Sequence, residues 1–184
     1  MSKNITKVLE PILRKLAAAQ QSLLRAADTI PEEQWRTPPR AGAWSGTEVL
    51  AHVMGIERAV IGAADRVVQK QPKRIPLAKR FRLPVVLAEF RVVKLKTPIP
   101  LDSGLLRGKE SMLAEMREVR GRTLAFIEET NTRDLRAYRW QHPFLGSLNT
   151  YEWFSLLASH QIRHEKQMRE IARDLPAVAP TAEK

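Results

Sequence analysis

Residues 155–171, SLLASHQIRHEKQMREI, hold two histidines four positions apart inside a helical pattern, His160 and His164. At about 100° per residue, Leu157, His160, His164 and Ile171 all fall within roughly 40° of Trp153. That spacing makes the segment an amphipathic helix whose inward stripe carries both imidazoles, one turn apart. Two adjacent imidazoles on a buried face are costly unless their nitrogens are satisfied, and a divalent metal satisfies them well.

Upstream, the same periodicity recurs three times. Ile5, Val8, Leu9, Ile12, Leu13, Leu16, Leu23 and Ala27 predict a first helix over about 4–29, with Pro11 marking its first regular turn or a kink. Pro31–Trp35 reads as a short helical turn and 37–42 as a loop. Ser45-Gly-Thr-Glu48 has capping-box spelling and opens a second helix to about Gln69, striped by Val49, Val53, Ile56, Val60 and Val67. A third helix is expected over about 104–130. The fourth starts after Asn149, with Glu152 at its third position, and ends near Asp174. Between helices two and three, residues 70–103 hold five of the twelve prolines. A short helix through 85–93 fits there, because Val85, Val86, Leu87, Phe90, Val92 and Val93 need burial, and periodicity is equally compatible with a strand. Residues 131–148 read as a second connector, without a convincing sheet. The expected fold is therefore all-α, a four-helix bundle with a long connector between helices two and three. It forms a single domain over 1–176, with a frayed tail at 177–184.

Composition narrows the chemistry. No apolar run is long enough to span a membrane, and the N-terminus lacks signal-peptide features. The absence of cysteine removes disulfides, thiolate ligands and a cysteine nucleophile, and fits a cytoplasmic protein. The net charge is +11, and residues 66–96 carry ten Lys or Arg against one acid, Glu89, so that stretch is +9 and the rest of the chain +2. Such a field attracts anions, whether small acids, phosphates, nucleic acid or an anionic surface, although a solvated connector has the same spelling.

The chain has four histidines. His52 falls about 60° from the centre of the second helix's stripe, at the edge of its buried face. His52, His160 and His164 together make a three-imidazole site with open positions, suited to Zn, Ni, Fe, Mn or Cu. Imidazoles of ordinary pKa would release such an ion below about pH 6. His142, before Pro143, reads as a turn anchor in preference to a fourth ligand. Glu57, about 140° round the helix from His52, reads as a helix-pairing charge in preference to an outer partner of the site. Glu165 is expected to face solvent, and the four tryptophans read as core and helix-end packing.

WSGTEVLAHVMGIERAV (44–60) and HPFLGSLNTYEWFSLLASHQIRHEKQMREI (142–171) resemble the DinB/YfiT-like superfamily of metal-dependent hydrolases and thiol transferases. The carrying features are Trp44-Ser45, His52, the His142-Pro143…Gly146 turn, Glu152-Trp153 and His160-x-x-x-His164; the likeness is weakest over 70–103. The resemblance implies an up-down-down-up bundle in which His52, His160 and His164 bind a divalent ion. It also implies a bacterial enzyme transferring a low-molecular-weight thiol, or catalysing a related hydrolysis or isomerisation, with homodimers common among relatives. The basic segment, Lys94 and Lys96 included, would then recruit an anionic small molecule. The alternative is a non-enzymatic basic module binding nucleic acid or anionic surfaces through 66–96. No helix-turn-helix, RNA-binding sheet motif or aromatic-interleaved basic stripe favours it.

Overall fold

The computed structural model describes residues 3–71, 83–89 and 106–176. Four helices build it: α1 (Lys3–Asp28), α2 (Gly46–Val68), α3 (Lys109–Glu129) and α4 (Thr150–Asp174). The architecture is the expected all-α bundle. α1 packs mainly along α4, and α2 packs against both α3 and α4, so α2 and α4 meet at the centre.

Local chemistry explains the helix starts. The Ser45 backbone N–H donates to Glu48 Oε2 at 2.8 Å, fixing the first turn of α2. At α4 the box closes both ways: Glu152 N–H donates to Asn149 Oδ1 at 3.0 Å and Asn149 N–H to Glu152 Oε2 at 2.8 Å. Gly46 lets the fully buried Trp35 lie against the start of α2; a Cβ there would come within 2.5 Å of the indole ring. Pro11 lies inside α1.

Three expectations need correction. The connector 131–148 contains a small antiparallel hairpin, β1 (Arg139–His142) on β2 (Gly146–Asn149), with Trp140 opposite Leu148 and His142 opposite Gly146. Its three-residue loop, 143–145, leads into Gly146 at φ +87°, a left-handed conformation that glycine adopts without strain. Strands this short have too few residues for a period-2 signal. Second, α3 starts at Lys109, not 104, with Gly108 as its N-cap residue. Third, the segment expected as a helix over 85–93 is a single 3-10 turn, Val85–Glu89, within the described residues. Val85 and Ala88 pack on the bundle, but Val86 and Leu87 are 47% and 46% exposed. The turn is pinned by polar contacts as well: Lys15 Nζ lies 2.5 Å from Glu89 Oε1, and Ser159 Oγ donates to the same oxygen at 2.9 Å. Residues 90–93, Lys94, Lys96 and the tail 177–184 lie outside the described residues.

The core falls into two apolar clusters. One joins Leu9, Leu16, Val60, Ala64, Phe126, Phe154 and Leu157; the other joins Leu23, Leu50, Met54, Met112, Met116, Met168 and Ile171. On α2, α3 and α4 the residues between these groups include Glu57, Arg120, Thr123, Gln161, His160 and His164. A polar layer therefore crosses the middle of the bundle.

Candidate metal centre

α2 and α4 bring the three predicted histidines together. His52 Nε2 lies 3.2 Å from His160 Nε2, which lies 3.1 Å from His164 Nε2. One nitrogen from each ring lies within 4.8 Å of the other two. His52 and His164 are buried and His160 is half-buried. The Trp44 ring packs edge-on against His52 at 5.1 Å, closing that flank.

The electrostatics favour neutral rings. Burial pushes the His52 pKa down to about 4. Burial, reinforced by repulsion from His52, Arg163 and His142, pushes His160 down to about 3. His164 is also driven well below the usual imidazole range, first by burial and then by its two neighbours. The triad therefore presents nitrogen lone pairs at neutral pH, as metal coordination requires. Two nitrogens bound tetrahedrally at about 2.1 Å sit roughly 3.4 Å apart, close to the separations seen here. The cluster could hold a divalent ion with little rearrangement.

An outer contact orients one ring. His164 Nδ1 lies 2.9 Å from Gln167 Oε1. A carbonyl oxygen only accepts, so the His164 proton belongs on Nδ1 and the Nε2 lone pair faces the other two histidines. Gln167 was not among the sequence candidates, although its position three residues beyond His164, on the same helix face, is a usable signal.

His142 is a turn anchor. Its Nδ1 accepts from the backbone N–H groups of Phe144 and Leu145, each at 3.1 Å. A neutral ring accepting at Nδ1 keeps its proton on Nε2, so it offers no lone pair to an ion, and the three-histidine set keeps an open position. Burial lowers the pKa of this ring too.

Glu57 is a helix-pairing charge and a good deal more. It takes Arg120 Nε at 2.8 Å and Nη2 at 3.0 Å, Thr123 Oγ1 at 2.6 Å and Gln161 Nε2 at 2.9 Å. One carboxylate thus ties α2 to α3 and α4 beside the triad. Glu165 does not face solvent as expected. Its side chain is 12% exposed, pairs with Arg169 and lies 3.4 Å from Ser22 Oγ on α1. The tryptophans pack as expected, with Trp140 stacked on Trp153 at 4.9 Å and 8°.

The family model of the DinB superfamily matches residues 15–168, which span all four helices and the three histidines. The chain belongs to the DinB superfamily. A DinB relative from Bacillus subtilis (strain 168), the uncharacterized protein YuaE, is 27% identical over 144 residues, covering 77% of this chain and 85% of its own length. Among the described residues of this DinB chain, no helix is long and apolar enough to cross a membrane.

Proposed function

We propose that this DinB-superfamily chain is a divalent-metal-dependent enzyme. Its ion would be held by His52, His160 and His164, and it would transfer a low-molecular-weight thiol or carry out a related hydrolysis or isomerisation. The observation that carries this reading is the convergence of three desolvated imidazole nitrogens, two pairs of them 3.1–3.2 Å apart. When bound, a divalent ion supplies Lewis acidity that lowers the pKa of a coordinated water or thiol. The chain's own contribution is to keep the imidazoles neutral by burial, to aim His164 through Gln167 and to leave a ligand position open. Family and fold alone do not fix the reaction, so the chemistry rests on the site.

In this reading the protein is cytoplasmic, with a single domain over 1–176, and the basic stretch containing Lys94 and Lys96 gathers an anionic substrate. Elemental analysis of protein purified without an affinity tag should find about one Zn, Ni, Fe or Mn per chain. Screening of the loaded form against thiol–electrophile pairs should then reveal turnover. Stoichiometric metal retained by His160→Ala/His164→Ala would sink the ligand assignment. Lys94→Glu/Lys96→Glu should raise KM and leave metal content alone, with the effect shrinking at high salt. Micromolar polyanion binding that survives His160→Ala would favour the basic binding module instead.

A further inference from the structure

The three rings of the triad are not held alike. His164 is fixed from outside by Gln167, whereas among the described residues His52 makes no hydrogen bond beyond its contact with His160. A ligating imidazole normally has an outer partner, without which it can turn about its side-chain torsions and aim its lone pair elsewhere. In that place His52 has a ring: Trp44 packs on it T-shaped, with centroids 5.1 Å apart and planes at 60°. Of the four tryptophans, Trp44 alone meets a triad imidazole; Trp140 and Trp153 stack on each other, and Trp35 lies buried against Gly46. The half-buried indole is itself anchored. It directly precedes Ser45, the N-cap of α2, whose N–H donates to Glu48 Oε2 at 2.8 Å, and it follows Ala43, whose N–H donates to the Arg40 carbonyl at 3.1 Å. It also packs on the apolar cluster that contains Leu50, Met54 and Met168.

We propose that Trp44 is a positioning residue for the metal centre: its indole holds the His52 ring with Nε2 on the space shared with His160 and His164. This rests on the metal reading above. A T-shaped pair sets the positive edge of one ring on the negative face of the other, so the contact is directional in a way that an aliphatic side chain of similar volume is not. The bundle then uses two devices for one task, a polar acceptor on α4 for His164 and an aromatic ring at the start of α2 for His52. The difference follows from the surroundings. Gln167 is half-buried and keeps its remaining polar atoms near water, whereas the His52 flank borders the apolar cluster, where a second acceptor would itself need a partner.

The test uses the full chain and zinc. Trp44→Phe keeps an aromatic face, whereas Trp44→Leu and Trp44→Met keep apolar volume without one, the second serving if the first does not fold. Zinc affinity, measured by competition with a chromophoric chelator, should fall about tenfold or more in the aliphatic variants and stay within about threefold in Trp44→Phe. The metal-free variants should all lose a similar, small amount of Tm, because each removes part of the same packing. In nuclear magnetic resonance spectra of the zinc-loaded forms, the His52 ring signals should broaden in the aliphatic variants and stay sharp in Trp44→Phe. Those of His164, fixed by Gln167, should stay sharp throughout. Unchanged zinc affinity in the aliphatic variants, an equal loss in Trp44→Phe, a His52 ring that stays sharp without the aromatic face, or broadening of His164 together with His52 would each overturn the inference. Failure of the unmodified protein to bind zinc would overturn the metal reading, and this inference with it.

Discussion

Two polar clusters share the middle of this bundle, and they are built on opposite principles. In the Glu57 cluster the charges are matched internally: a buried carboxylate faces a bidentate guanidinium, a hydroxyl and an amide, and among the described residues only the outlying Arg120 Nη1 and Gln161 Oε1 of the cluster are left without a partner. In the histidine cluster three like groups face one another, with Gln167 accepting from one ring and Trp44 packed on another. The first has the chemistry of a fastener, in which opposite charges cancel across three helices. In the second, lone pairs converge on one space, an arrangement that a cation between them would stabilise. Neighbouring burial thus serves two ends, and the donor–acceptor balance tells them apart.

Breaking the fastener should have the largest effect. Glu57→Ala leaves Arg120 buried and uncompensated, and should cost about 3–5 kcal/mol in urea unfolding. Replacing both partners, as in Glu57→Met/Arg120→Leu, should recover much of that loss. A Glu57→Ala protein as stable as the original would refute the assignment.

The triad should respond to pH in the direction its neutral rings dictate. Unfolded histidines take up protons below about pH 6.5, whereas folded His52 and His160 resist until about 4 and about 3. The stabilisation from neutral burial is therefore fully present above about pH 6.5 and is lost as pH falls towards 4. The metal-free protein should lose on the order of a few kcal/mol between pH 7 and 4.5, read from the denaturation midpoint. His160→Ala/His164→Ala should show a flatter profile. The same burial moves proton competition for the ion below the pH 6 expected of an ordinary imidazole.

Smaller effects probe the edges of the comparison. Gln167→Ala should weaken metal affinity about 10–100-fold by freeing the His164 ring, while leaving the Glu57 cluster and the Tm nearly unchanged. His142→Ala should lower stability by about 1–2 kcal/mol through the lost turn anchor, with metal content intact. Metal release by that substitution, at an unchanged Tm, would make His142 a ligand after all.

The bundle itself was legible in the chain. Apolar residues at 3.6-residue spacing, and box residues at Ser45/Glu48 and Asn149/Glu152, act within one or two turns, so sequence distance and spatial distance nearly coincide. For the same reason the i, i+4 spacing of His160 and His164 is enough to pair them. The hairpin was not legible, because strands of four residues carry almost no periodic signal and depend on a partner strand. Nor were Val86 and Leu87, whose apolar character suggested burial that the 3-10 turn does not provide.

By itself, the sequence determined helix periodicity, capping and the one-turn spacing of two imidazoles, all consequences of local backbone geometry. Only the tertiary structure decided that His52 meets that pair across 108 residues, that Glu57 spends its charge on Arg120 and not on the site, and that His142 turns its proton outward. Each of those outcomes depends on which side chains from distant segments share a desolvated space, where an unmatched donor, acceptor or charge is expensive. Spacing along one helix carries no information about that space.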